Sequence, residues 1–184
     1  MVSGLNVAYE LPPAVRSLRD EWTNAGTSAA VICGLLAVTE SQLLVFVKDE
    51  KNFPQSYSEA QMKALLVLTY GALVFCISGA MSSFVLIDEF SGMQVRAARM
   101  GSIGSPVGTV LSSDFGVLRM FGARTSLKWV MYHWLFSVLA SVLCTVAQVT
   151  MYVWLQESPA IQITVSIIVA FALLPLLYLV PCGQ

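Results

Sequence analysis

The chain has 184 residues, of which 57% are hydrophobic and only 11% charged, against roughly 25% charged in an average soluble domain. Its net charge of -1 excludes a basic field for nucleic acid and an acidic tail, and its length leaves room for one bundle of apolar helices and little else. A single histidine, His133, and four cysteines without a CxxC argue against a protein-built zinc site. Cys33, Cys76 and Cys144 lie inside apolar runs and read as small apolar filler.

Residues 1 to about 11 have no periodic pattern. Pro12-Pro13 suits a helix start, because the first turn does not use the missing N–H. Leu11, Val15, Leu18 and Trp22 then recur at helical spacing, with Arg16, Arg19 and Asp20 elsewhere on the helix. The pattern predicts an amphipathic helix within a leader of residues 1–26, lying at a membrane interface or packed on the protein's own loops. The first apolar run begins near Thr27, too late for a cleavable signal peptide, so the first span is expected to stay and act as its own insertion signal.

That first span is predicted over 27–47. It carries Glu40 beside Thr39, Ser41 and Gln42, and the charges from Lys48 to Lys51 end it. After the turn at Asn52-Phe53-Pro54, Ser56 and Glu59 form a capping box that predicts a helix start near Ser56. Ala64 to Ile87 holds no charge between Lys63 and Asp88. At about 1.5 Å per residue it reaches roughly 36 Å, enough to cross a hydrocarbon core of about 30 Å. Residues 88–128 read as a long polar connection, partly ordered, with a short helix over Met93–Met100 and an apolar surface stretch over Val110–Phe121. The third span, 129–154, carries Trp129, Tyr132 and Trp134 at one end and Tyr152 and Trp154 at the other, as headgroup layers select. A short connection over 155–160, with Ser158-Pro159 as cap and first turn, makes the fourth span at 161–180 its antiparallel neighbour. Pro175 should kink that span, and a short tail, 181–184, follows.

The fold class is therefore all-α: an integral membrane four-helix bundle, up-down-up-down, preceded by an interfacial helix. Seven basic residues (Arg16, Arg19, Arg96, Arg99, Arg119, Arg124 and Lys128) lie on the side of the termini and the 88–128 connection. Three (Lys48, Lys51 and Lys63) lie on the other. The positive-inside bias predicts cytosolic termini.

Glu40 is the sharpest feature. An acid near a span's centre costs about 2.5–3.5 kcal/mol on insertion scales, so it seeks partners. Counting inward from the outer boundary puts Glu40, Tyr70 and Gln148 at one depth, with Gln42 and Thr69 nearby. Three readings of this polar cluster stand: a packing cluster, a shifted register with the span over 22–39 and Glu40 at the interface, or an ion or proton site. His133 lies toward the opposite face and is read as an interfacial polar residue. Small residues four apart, such as Gly79 and Ser83 or Ser137 and Ser141, suit close helix packing within the chain or between copies. Cys182 is a candidate for reversible acylation and, third from the end, does not fit a prenylation box. Ser102 and Ser105 are candidate phosphorylation positions.

Thr27–Ala30, Val67–Gly79 and Ile87–Phe90 resemble segments of small four-span membrane proteins of mushroom-forming fungi, a resemblance that covers the first half of the chain and implies no activity and no site. The acid in the first span is also similar to small multidrug-resistance exporters, but the long 88–128 connection departs from their pattern. Tetraspanins and claudins are disfavoured, because their extracellular cysteine motifs are missing. No nucleophile–base pair or phosphate loop is present, so no cofactor is implied. The expected function is non-enzymatic: binding partners or organising membrane, with lipid and either a second copy or another membrane protein as partners, and no nucleic acid. The alternative is a small oligomeric proton- or ion-coupled transporter using Glu40.

Overall fold

The structure, a computed structural model, describes residues 10–49, 58–100 and 114–177. Every regular element among the described residues is a helix: α1 (Pro13–Lys48), α2 (Glu59–Ser91), α3 (Met93–Met100), α4 (Asp114–Met120), α5 (Leu127–Gln156) and α6 (Pro159–Leu177). Three helical segments, Pro13–Lys48, Glu59–Arg99 and Leu127–Gln156, are long and apolar enough to cross a membrane, and α6 contributes a shorter apolar helix. Contacts divide the chain into two compact units. One holds residues up to Leu35 with Cys76–Val138, and the other holds Leu36–Phe75 with the residues from Leu139 on.

The expected leader helix and first span are one element. α1 runs unbroken for 36 residues from Pro13. The polar stretch at its junction does not break it, and its hydroxyls are satisfied within the helix: Thr23 Oγ1 donates to the Arg19 carbonyl at 2.8 Å and Thr27 Oγ1 to that of Thr23 at 2.9 Å. The amphipathic face is not left to lipid. Leu11 and Val15 are buried with Phe90, Met93, Leu118 and Phe121, and Trp22 sits edge-on to Trp134 at 6.5 Å between ring centroids. Burial against the protein's own later segments is what this face achieves.

α2 opens on Ser58: Gln61 Oε1 accepts from the Ser58 backbone N–H at 3.1 Å, and the Gln61 N–H donates to the Ser58 carbonyl at 2.9 Å. This is the return half of a capping box, Ser-x-x-Gln, and the expected Ser56–Glu59 box involves Ser56, which lies outside the described residues.

From Leu65, buried positions follow at alternating steps of four and three: Thr69, Ala72, Cys76, Gly79, Ser83, Leu86, Phe90 and Met93. That period is a helix seam. Its occupants are largely small or polar, whereas Val67, Val74, Ile77 and Phe84 point outward and are exposed. The arrangement inverts that of a soluble helix. Small residues let helices approach closely: a Cβ added at Gly79 would lie 3.0 Å from Cys33 Sγ and 3.4 Å from Val138 Cγ2. Hydroxyls bridge the helices, with Ser78 and Ser137 at 3.1 Å and Trp134 Nε1 donating to Ser83 Oγ at 2.8 Å. His133 Nδ1 meets Ser82 Oγ at 3.0 Å.

The 88–128 connection is built around one buried acid. α2 extends past Asp88 to Ser91, which carries Glu89 into the core at 9% exposure. Arg96 of α3 pairs with Glu89 Oε2 at 3.0 Å and also donates to the Glu89 carbonyl, while Arg124 meets Oε1 at 2.9 Å. Arg96 Nε donates to the Gly122 carbonyl at 2.8 Å. Gly122 has φ +93°, and a Cβ there would come within 3.0 Å of Arg96 Cβ, so the clamp requires glycine twice over. Leu118 of α4 is fully buried, so this part of the expected surface stretch faces the core. Residues 101–113, including Ser102 and Ser105, lie outside the described residues, as do Cys182 and the tail.

Candidate functional site

Within the second unit, α1 carries Glu40 to a position with no exposure at all. Cys33, Glu40 and Val47 recur at steps of seven as buried positions of α1, so Glu40 occupies the place in the seam where the pattern calls for an apolar side chain.

α5 faces it with a polar stripe. Ser141 and Gln148 are 0% and 2% exposed, and Thr145 lies between them on the same face. Thr145 Oγ1 donates to Glu40 Oε1 at 2.8 Å and lies 3.0 Å from the Ser141 carbonyl. A hydroxyl has one proton, so the carboxylate shares this donor with the backbone. Among the described residues Glu40 Oε2 has no hydrogen-bond partner, and neither has Gln148 Oε1. Both are acceptors shut away from water, and each such bare group costs on the order of 1–3 kcal/mol. Among the described residues no cation pairs with Glu40: Lys48, the nearest basic residue along α1, lies over the Tyr70 ring at 5.3 Å.

The remaining members of the expected cluster are placed differently. Thr69 is fully buried, but its hydroxyl turns to its own helix and donates to the Leu65 carbonyl at 2.8 Å. Tyr70 is 42% exposed, and Gln42 is exposed. Counting residues inward finds depth but not azimuth. Successive residues on a helix are turned by about 100°, so a neighbour of Thr69 or a residue two from Glu40 points away from the seam. The same geometry explains the missed partner. Thr145 is one turn before Gln148, and an i−3 search from Gln148 would have found it.

A cavity of about 220 Å³ opens beside this stripe, lined by Leu43, Phe46, Val47, Leu65, Gln148, Val149 and Tyr152. Its lining residues are apolar or aromatic except for Gln148. Phe46 and Tyr152 stand edge to face at 5.9 Å, which stiffens one wall. Cys144 serves packing: a Cβ on Gly71 would lie 3.6 Å from its sulfur. Among the described residues no three His, Cys, Asp or Glu side chains converge as metal ligands would. Chemically, the site offers oxygen acceptors and seeks a donor. Comparison with family models, with curated proteins and with solved structures finds no match for this chain.

Proposed function

We propose that this chain is a non-enzymatic integral membrane protein that crosses the bilayer four times, with both termini and the 88–128 connection on the cytosolic side, and that it works by binding within the membrane. One observation carries the reading. In the most apolar stretches of the three long helical segments, only 17%, 28% and 11% of the residues are buried within the chain. The hydrophobic side chains therefore face outward, where only lipid or another apolar protein surface can cover them.

α6 supports the fourth crossing. Gln162 Nε2 donates to the carbonyls of Trp154 and Glu157, and Trp154 Nε1 donates to Ser166 Oγ at 3.1 Å, so its few polar groups are tied back to α5. Its outer face exposes Ile163, Ile167, Ile168 and Phe171, and none of its described side chains is buried. A second copy of the chain or another membrane protein is the partner such a face fits.

Tags at the N-terminus, at Ser105 and at the C-terminus test the arrangement by their protease accessibility in sealed vesicles. All three on one side is the expected result. A C-terminus opposite to the N-terminus reduces the crossings to three and removes the proposal. A photoreactive residue in place of Phe171 should trap a reproducible neighbour in native membranes, and failure to do so removes the binding role.

A second reading, a small proton- or ion-coupled transporter, is favoured by the bare Glu40 Oε2 alone. Exchange of a proton or cation at that oxygen would supply its missing donor. Gradient-driven flux in liposomes that disappears in Glu40→Gln supports this reading, and absence of flux in the wild-type protein ends it.

A further inference from the structure

We infer that the pocket lined by Arg119, Arg124 and Lys128 is a binding site for a membrane lipid with a phosphomonoester head, its phosphate on the cationic groups and its glycerol carbons against their stems. The inference rests on the reading of α5 as a membrane-crossing helix, and it adds a ligand class that neither reading above contains.

Three observations carry it. First, the positive charge of this pocket is largely unanswered. The pocket measures about 170 Å³ and lies wholly within the first unit, lined from α4, the turn after it and the first residues of α5. Arg119, Arg124 and Lys128 are all exposed. Among the described residues no acid pairs with Arg119 or Lys128, and the acid on Arg124, Glu89, is shared with Arg96. A phosphomonoester, with a charge of about −1.5 to −2 near pH 7, matches Arg119 and Lys128 together, where a singly charged phosphodiester answers only one of them. A guanidinium has several N–H donors, so Arg124 keeps some beyond the one on Glu89, and the Thr125 hydroxyl in the lining adds another. Second, the walls suit an amphipathic anion. Long basic side chains lay their stems on apolar surface and hold their heads in water. With Ala123 and the buried Leu127, these stems make a pocket of carbon with charge at its rim. A free phosphate gains nothing from the carbon, and an acyl chain gains nothing from the charge. Third, the pocket sits where lipid phosphates lie. It opens at the beginning of α5, where Trp129 and Tyr132 are 78% and 55% exposed and Lys128 Nζ stands over the Tyr132 ring at 5.9 Å. Exposed aromatic rings at the end of an apolar helix mark headgroup depth, and basic pockets at that level hold anionic lipid heads.

The test is native mass spectrometry of the full chain in detergent micelles. The probes are dioleoyl phosphatidate, phosphatidylserine and phosphatidylcholine, and separately glycerol 3-phosphate. Phosphatidate should add one molecule per chain at concentrations about tenfold below those phosphatidylserine needs, the value of one further charge-assisted hydrogen bond. Phosphatidylcholine should bind more weakly still, and glycerol 3-phosphate, which has the head without the tails, should not add at the same concentrations. Arg119→Gln with Lys128→Gln should bring phosphatidate to the level of phosphatidylserine. Neither residue belongs to the Glu89 ion pairs, so thermal unfolding of this variant should match the wild type. Arg16→Gln with Lys63→Gln removes the same charge elsewhere and should leave the phosphatidate preference unchanged.

The proposal is overturned if phosphatidate has no preference over phosphatidylserine or if that preference survives Arg119→Gln with Lys128→Gln. It is also overturned if Arg16→Gln with Lys63→Gln removes the preference equally, since selection then belongs to overall charge. Glycerol 3-phosphate binding as tightly as phosphatidate overturns a lipid as the source of the phosphate. A chain that stays dispersed without detergent removes the membrane reading, whereas a detergent-dependent chain without phosphatidate selection removes this site alone.

Discussion

Two buried glutamates, Glu89 and Glu40, are held in opposite ways. Each oxygen of Glu89 meets a guanidinium, from Arg96 at 3.0 Å and from Arg124 at 2.9 Å. Glu40 is more deeply buried, yet one of its oxygens shares a single threonine proton and the other has no partner among the described residues. A buried charge that is fully paired ties segments together, because removing one partner strands the others. A buried acid left half-satisfied makes no such joint, and its open oxygen calls for an explanation. The first arrangement is a structural joint between α2, α3 and the turn segment before α5. The second leaves an acid oxygen in the core without a donor among the described residues.

Mutations at the two acids should break that contrast or sharpen it. The largest effect is expected at the joint. Glu89→Leu leaves Arg96 without a counter-charge in a half-buried position and should cost about 3 kcal/mol, read as lowered thermal stability in detergent by tryptophan fluorescence. Gly122→Ala should cost about 2 kcal/mol in the same assay. It places a Cβ at φ +93° against Arg96 and so disturbs the clamp from its backbone side. Arg124→Ala should cost less, under about 1 kcal/mol, because its side chain is 65% exposed and Arg96 still holds the acid. Glu40→Gln should be the smallest, within about 0.5 kcal/mol of the wild type, since the amide oxygen can still accept from Thr145 and no ion pair is lost among the described residues. A Glu40→Gln loss as large as that of Glu89→Leu would make Glu40 a second joint and end the contrast.

Much of the chain's organisation is legible from one sequence. Uncharged Ala64–Ile87, the aromatic ends of α5 and the proline starts at Pro13 and Pro159 follow from backbone chemistry and transfer energy, which act locally. The short helix at Met93–Met100 was readable for the same reason. Glu40 was recognisable as costly, because an acid inside an apolar run is anomalous whatever surrounds it. Other features were not legible. Whether Leu11, Val15, Leu18 and Trp22 meet lipid or protein depends on segments about seventy or more residues away, and amphipathicity is the same in both cases. Glu89 looked like the polar end of a span, and only the distant Arg96 and Arg124 make it part of the core.

The sequence by itself determined which stretches are helical and apolar enough to cross a membrane, since hydropathy and helix length are properties of each segment alone. Tertiary structure decided which polar atoms are satisfied. It paired Glu89 with two arginines, turned Tyr70 and Gln42 outward, and left Glu40 Oε2 and Gln148 Oε1 without donors. Hydrogen bonds and ion pairs act over about 3 Å, and that proximity is set by the azimuth and register of packed helices, which no single segment contains.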